Sequence, residues 1–205
     1  MSMTLRVMVP PHPLINHWLT ILRNQSTPNV LYSTGLEQIG RWLTYEAIRD
    51  WIPIRKEEIE TSQGKTEGSV IESQIPILAI PQLPAGLDLW QGARDVLPNA
   101  QLCLGGLPQN IETNAGLIFF IDQITTGEEL LKSLSRLQKE EISINRVRII
   151  TALAASPGLK VLGESIPDLK IHCGCIDKDL TGNGEIIPGI GNPLHRINTR
   201  ITGSN

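Results

Sequence analysis

Aromatic residues are scarce, only 4% of the chain, and nowhere does a run of one charge sign occur. Scattered charges that sum to a formal −3 leave no basic footprint for nucleic acid, so binding to DNA or RNA is not expected. Long apolar stretches are missing too. None reaches the roughly 18 uninterrupted residues of a membrane-spanning helix, and the opening MSMTLRVMVPPHPL lacks the apolar core of a signal peptide. Cysteine is limited to three residues, an odd number that argues for reduced thiols in a cytosol-like compartment. The expectation from these shortages is a soluble, cytoplasmic protein. Against them stand 205 residues of which 40% are hydrophobic and 19% charged, enough to bury a core within a single domain spanning 1–205.

Apolar periodicity divides that domain. Leu14, Trp18, Leu19 and Leu22 share a helical face over Pro13–Asn24, and Leu36, Ile39, Leu43, Ala47 and Trp51 do so over Thr34–Trp51. These helices make up most of an N-terminal segment, 1–55, in which Trp18, Trp42 and Trp51 are expected to pack the helices against the rest. A strand-like stretch at Lys56–Thr61 is followed by the polar turn SQGKTEGS and an apolar strand Ile75–Ile80. Thereafter strand and helix alternate: helix Leu87–Val96, strand Gln101–Leu104, strand Leu117–Asp122, helix Thr126–Gln138, strand Val147–Leu153, helix Gly158–Ser165, strand Lys170–Ile176. This spacing predicts an α/β fold, a parallel sheet flanked by helices, with a C-terminal tail from 177 to 205. Ligands of such sheets bind beyond the carboxyl ends of the strands. Four loops, 81–86, 105–110, 122–129 and 154–158, are therefore expected around one crevice.

The stretch GLIFFIDQITTGEEL, Gly116–Leu130, carries the sharpest chemical signal. It is similar to the phosphoribosyl-pyrophosphate (PRPP) loop of type I phosphoribosyltransferases, an apolar strand followed by two acids, variable residues and Thr-Gly. Ile121 stands in the first acidic place, Asp122 in the second, and Thr125, Thr126 and Gly127 complete the loop. Glu128 and Glu129 follow where small residues and a hydroxyl are usual in that family. Helix starts hold phosphate through backbone N–H groups and the helix dipole. Glutamates there repel an anion, yet they also suit an ordinary helix start, so α-helix capping by these side chains is expected.

Over nearly its full length the chain resembles uracil phosphoribosyltransferase. The resemblance rests on HPLINHWLTILRNQST with LTYEAIRD near the N-terminus, on ALAASPGLKVLGESIPDLKIHCGCID from Ala152 to Asp177, and on NGEIIPGIGNPLHR from Asn183 to Arg196. It implies a type I phosphoribosyltransferase fold and a reaction in which uracil displaces pyrophosphate from PRPP, with magnesium on the pyrophosphate. The base-site tail implied by it comprises Ile187, Pro188, Gly189, Gly191 and Asn192. Other places differ. Pro84 and Gln109 occupy positions where arginines facing the pyrophosphate are implied, Pro108 and Glu185 stand for tyrosines, and Asn192 with His195 stand for acids. The arm after Asn110 is short. Two cations lost and two carboxylates gained turn the crevice against an anionic substrate.

The function expected on that basis is a non-catalytic relative with an eroded PRPP site, acting as a regulatory or protein-interaction module. The alternative is an active uracil phosphoribosyltransferase of altered site, with Mg2+. A uracil or uridine-nucleotide ligand, an unidentified protein partner and a homodimer are compatible with both. Asp122 is read either as a magnesium or ribose ligand or as a strand-end cap. Cys173 and Cys175 share one side of a strand and are read as core residues, since metal binding would need His172 or another ligand to join. His12 and His17 are expected to cap or pack, and His195 is a titratable group beside the base site with no acid or nucleophile partner. Glu57, Glu58, Glu140 and Glu141 read as solvated charges.

Overall fold

The computed structural model describes residues 5–198; the two ends of the chain, including the last part of the predicted tail segment, lie outside the described residues. A short strand, β1 (Arg6–Met8), precedes helices α1 (Pro13–Arg23) and α2 (Asn29–Ile48). A hairpin follows, β2 (Ile54–Thr61) and β3 (Gly64–Ile71), then β4 (Ile77–Pro81), α3 (Ala85–Ala93) and β5 (Gln101–Leu102). The second half runs β6 (Gly116–Ile124), α4 (Glu128–Lys139), β7 (Val147–Ala155), α5 (Ser156–Ser165) and β8 (Lys170–Asp177). The chain closes with β9 (Asp179–Leu180), β10 (Ile186–Ile187) and α6 (Pro193–Ile197).

Six strands form one wholly parallel sheet in the order β1-β8-β7-β6-β4-β5. Parallel strands buried on both faces read as continuous apolar runs, and every residue of β7 and β4 is buried. Side chains alternate between the faces. Ile118 and Phe120 of β6 meet Leu36, Ile39 and Leu43 of α2 in one apolar cluster, whereas Leu117, Phe119 and Ile121 belong to another that includes Leu130, Leu134 and Leu137 of α4 and Leu162 of α5. The result is a three-layer sandwich with α1, α2 and α3 on one face and α4 and α5 on the other.

His12 caps α1, its Nδ1 accepting the Leu14 N–H at 3.2 Å, and His17 packs edge-on against Trp18, as expected of both. The three tryptophans Trp18, Trp42 and Trp51 are partly buried against the α1–α2 side of the core, which agrees with their predicted packing role. Differences lie in boundaries, in the hairpin, and in four short elements with no predicted counterpart, β1, β9, β10 and α6. Helix α2 begins at Asn29, a turn before the predicted Thr34, directly after Pro28. Segment 62–69 is largely strand rather than turn, because Lys56 reaches Glu67 at 2.8 Å and Lys65 reaches Glu58 at 2.7 Å across an exposed ladder. Charged cross-strand pairs stabilise such a ladder without any apolar alternation to announce it.

Candidate functional site

Sheet order fixes where a ligand can enter. From β4 the chain moves by way of α3 to β5 at one edge, whereas β6, β7 and β8 build outward in the other direction. The carboxyl ends of β4 and β6 thus part at a switch point, which leaves a crevice between their loops. A cavity of about 580 Å3 lies there, between Gln82, Leu83 and Pro84 after β4, Asp122, Gln123 and Thr125 at the end of β6, and the tail from Thr181 to Leu194. Of the four predicted loops, 81–86 and 122–129 contribute to it.

The other two do not line it. Arg136 of α4 takes the carbonyls of Leu107 at 3.1 Å, Pro108 at 2.5 Å and Gln109 at 3.4 Å, drawing the 105–110 loop onto that helix. Gln109 is therefore exposed on the α4 side and away from the crevice, while Gly106 and Leu107 border a smaller cavity beside Glu129. Gly158 in turn packs under the phosphate-loop candidate, where a Cβ would fall within 3.0 Å of the Thr125 carbonyl.

At the start of α4 the expected capping by glutamate is not found. The N-cap is Gly127 at φ +79°, a left-handed conformation that favours glycine, and the Glu128 N–H is accepted at 3.5 Å by the Thr126 hydroxyl rather than by a glutamate. Glu129 is engaged elsewhere, its carboxylate accepting the Gln82 amide at 2.7 Å. A cavity of about 210 Å3 opens directly on this helix start, lined by Thr125, Thr126, Gly127, Glu128 and Glu129 together with Gln82, Gln123 and Lys132. Replacing Glu128 by Gly and Glu129 by Ser is expected to tighten binding of inorganic pyrophosphate about tenfold at low salt, since charges in the first turn act directly on an anion held there. Calorimetry checks this, and unchanged affinity would show that the helix start does not hold phosphate.

Asp122 lines the larger cavity, with Oδ1 accepting the Gln123 N–H at 2.7 Å. The strand-end cap is thus present. Burial pushes its carboxyl above the ordinary range, against backbone hydrogen bonds that favour the charge, and Glu129 pushes it further up. Ile121, in the first acidic place, is 6% exposed and belongs to the core.

The tail forms the opposite wall through backbone rather than side chains. β9 and β10 pair antiparallel, and the chain then turns through Gly189 at φ +67° and Gly191 at φ +76°. Three successive carbonyls are taken by side chains from three elements. Arg23 of α1 donates to Gly189 O at 3.0 Å, the Tyr32 hydroxyl of α2 to Ile190 O at 3.3 Å, and the Gln123 amide of β6 to Gly191 O at 3.0 Å. Ile187, Pro188, Gly191 and Asn192 line the crevice, whereas Gly189 is buried behind them. Asn192 caps α6 by accepting the His195 N–H at 3.3 Å. The His195 side chain is exposed and not among the lining residues, although its neighbours Pro193 and Leu194 are, so it stands beside the crevice and not in it. Arg196 stacks over Tyr32 at 4.5 Å and donates to Asn24 O at 2.9 Å, tying α6 to α1.

Cys173 is buried with its thiol pushed up to about 12 by burial, and the described residues contain no group of three potential metal ligands. Cys175 differs from the core reading. The residue is half-buried at the edge of the core, and its sulfur accepts from Arg23 at 3.4 Å. Neither this contact, nor the two glutamine bonds Gln82–Glu129 and Gln123–Gly191, has a sequence signal, because each joins segments far apart in the chain.

The sequence profile of the family described as uracil phosphoribosyltransferase matches residues 9–197. A uracil phosphoribosyltransferase of Synechococcus elongatus is 35% identical, with 96% of this chain and 98% of that protein aligned. One from Synechocystis sp. is 36% identical over 93% of this chain and 96% of its own length, and the chloroplastic uracil phosphoribosyltransferase of Arabidopsis thaliana is 34% identical over 90% of this chain. Among solved structures, the AQ2163 protein from Aquifex aeolicus superposes with a TM-score of 0.81 at 28% identity, covering 93% of this chain and 97% of that one.

Proposed function

We propose, from the premise that the chain belongs to the uracil phosphoribosyltransferase family, that it joins uracil to the phosphoribosyl group of PRPP, giving uridine monophosphate and pyrophosphate. The fold is the parallel, helix-flanked sheet of the type I phosphoribosyltransferases. The observation that carries the proposal is a pair of adjoining cavities that share Gln82, Gln123 and Thr125 in their walls. A backbone-built turn, Ile187–Gly191, offers peptide groups to a flat base in the larger cavity, and the start of α4, with a glycine N-cap, opens on the smaller one. Holding two reactants in line across such a gap supplies most of what a dissociative transfer needs, since the ribose develops positive charge and the leaving group takes the electrons.

The described residues do not by themselves build a magnesium cage. Asp122 is a single carboxylate already engaged by the Gln123 N–H. Magnesium typically takes only one or two carboxylates and otherwise substrate oxygens, so the ion would have to arrive on the diphosphate of the donor.

One observation favours a second reading, binding without turnover. Among the described residues, those lining the 580 Å3 crevice include the acids Asp122 and Glu185 and no lysine or arginine, and Pro84 stands there without charge or N–H. On that reading the erosion is real, the tail senses uracil or a uridine nucleotide, and output passes to a protein partner. A homodimer and a cytoplasmic setting belong to either proposal.

Turnover of labelled uracil with PRPP and Mg2+ separates the two. Uridine monophosphate formation is expected, and replacing Asp122 with Asn should lower kcat/KM by at least tenfold. Heat of uracil binding without any product would establish the second reading instead. Absence of both product and uracil binding would overturn the two together.

A further inference from the structure

Arg23 ends α1, and Asp177 ends β8, 154 positions later. They meet as a two-pronged ion pair, Nη2 to Oδ1 at 2.7 Å and Nη1 to Oδ2 at 2.9 Å, with Asp177 only 7% exposed. Both prongs do more than hold each other. Asp177 Oδ2 also accepts the Gly189 N–H at 2.9 Å, and Arg23 Nη1 donates to the Gly189 carbonyl at 3.0 Å. One ion pair thereby grips the N–H and the C=O of a single glycine. That glycine follows Pro188, which lines the crevice, and its φ of +67° lies where a peptide plane has few restraints of its own.

With Asp177 buried and Arg23 27% exposed, the pair contributes little net stability, because desolvating the charges offsets most of their attraction. It is a good way to fix orientation, because a guanidinium fork against a carboxylate admits one planar arrangement. Burial acts to raise the Asp177 carboxyl, but the Arg23 bond and charge and the Gly189 N–H outweigh it and hold it below the usual range, so the grip persists at neutral pH. The flanking carbonyls are held separately by Tyr32 and Gln123, which leaves Gly189 as the point where this pair alone sets the turn.

We propose that Arg23 and Asp177 are positioning residues for the base: by clamping Gly189 they set the peptide planes that Ile187–Gly191 presents to the pyrimidine. The inference rests on reading that turn as the base site. Its test uses the full chain with uracil as the probe, followed by calorimetry, thermal melting and amide exchange. Arg23→Met/Asp177→Leu replaces the pair by apolar side chains of similar size and is expected to melt within a few degrees of the parent. Uracil affinity should nonetheless fall at least tenfold, with exchange accelerated at Gly189 and unchanged at the start of α4. Asp177→Asn keeps an acceptor for the Gly189 N–H while removing the charge, and should lose affinity less, by about threefold. Should the double variant fail to fold, the Asp177→Asn affinity decides. Uracil affinity within twofold of the parent in every folded variant overturns the inference, as does exchange that accelerates equally at α4. A parent protein that binds no uracil overturns the base-site reading as well, an outcome distinct from a parent and variants that bind alike.

Discussion

Gly92→Ala should cost the protein about 3 kcal/mol or more, enough to leave a large share of it unfolded. Helices α2 and α3 cross at a pair of reciprocal glycines. A Cβ on Gly92 of α3 would stand within 3.0 Å of the Glu37 carbonyl of α2, and a Cβ on Gly40 of α2 would do the same to the Leu89 carbonyl of α3. In both cases the obstacle is backbone, which cannot turn aside as a side chain can. Either helix must back away, opening the packing of Leu36, Ile39 and Leu89, all fully buried. Alanine's better helix propensity returns only about 1 kcal/mol. The displacement would also reach the crevice, because α3 begins directly after Leu83 and Pro84. Gly105→Ala is the control, with nothing within 4 Å of its added methyl, and should change stability by less than about 0.5 kcal/mol. Urea midpoints measure both, and a Gly92→Ala loss under 1 kcal/mol would show that the helices can separate at no cost.

Acidification from pH 6.5 to 4 should remove about 3 kcal/mol of stability through one side chain, His172. It is 2% exposed and its Nδ1 has no hydrogen-bond partner. Burial, then the charge of Arg148, push its pKa down to about 4, with Asp50 opposing and Lys170 assisting. In the unfolded chain the same imidazole titrates near its ordinary value, about 6.5. Between those two values the unfolded state binds the extra proton, so stability is whole above about pH 6.5 and declines as pH falls toward the folded value. Asp177 is also held down in the folded protein, but its contribution is lost only as pH falls below the ordinary carboxylate range, a separate and lower window. His172→Gln should flatten the stability profile between pH 6.5 and 4 while leaving the lower limb in place. Parallel profiles for parent and variant would assign the acid loss to other groups.

The parts of this molecule that apolar pattern governs were legible in advance. β6 and β7 are near-continuous apolar runs, α4 carries Leu130, Leu134 and Leu137 at helical spacing, and each lies where its period placed it. The hairpin of β2 and β3 was only half visible, since cross-strand ion pairs hold it and these leave no alternation to read. At the crevice, loops 81–86 and 122–129 were found because strand ends dictate them. Loop 105–110 was misplaced because Arg136, a residue of the next helix, pulls it aside. The absence of glutamate capping at the start of α4 was hidden for a similar reason: Glu129 has a better partner in Gln82, 47 positions earlier. Local chemistry predicted what each side chain could do, but partners remote in the chain decided which option was taken.

Pairing of β1 with β8 joins Arg6–Met8 to Lys170–His172, almost the whole chain apart. On the ribosome, then, β1 has no strand to pair with among the described residues until β8 has been made, and Arg23 likewise waits for Asp177. The central strands β4, β6 and β7 can associate earlier, as shorter loops close more readily. Completion of the sheet edge and completion of the crevice are thus late, coupled events, and a chain truncated before β8 emerges would hold most of its core but no crevice.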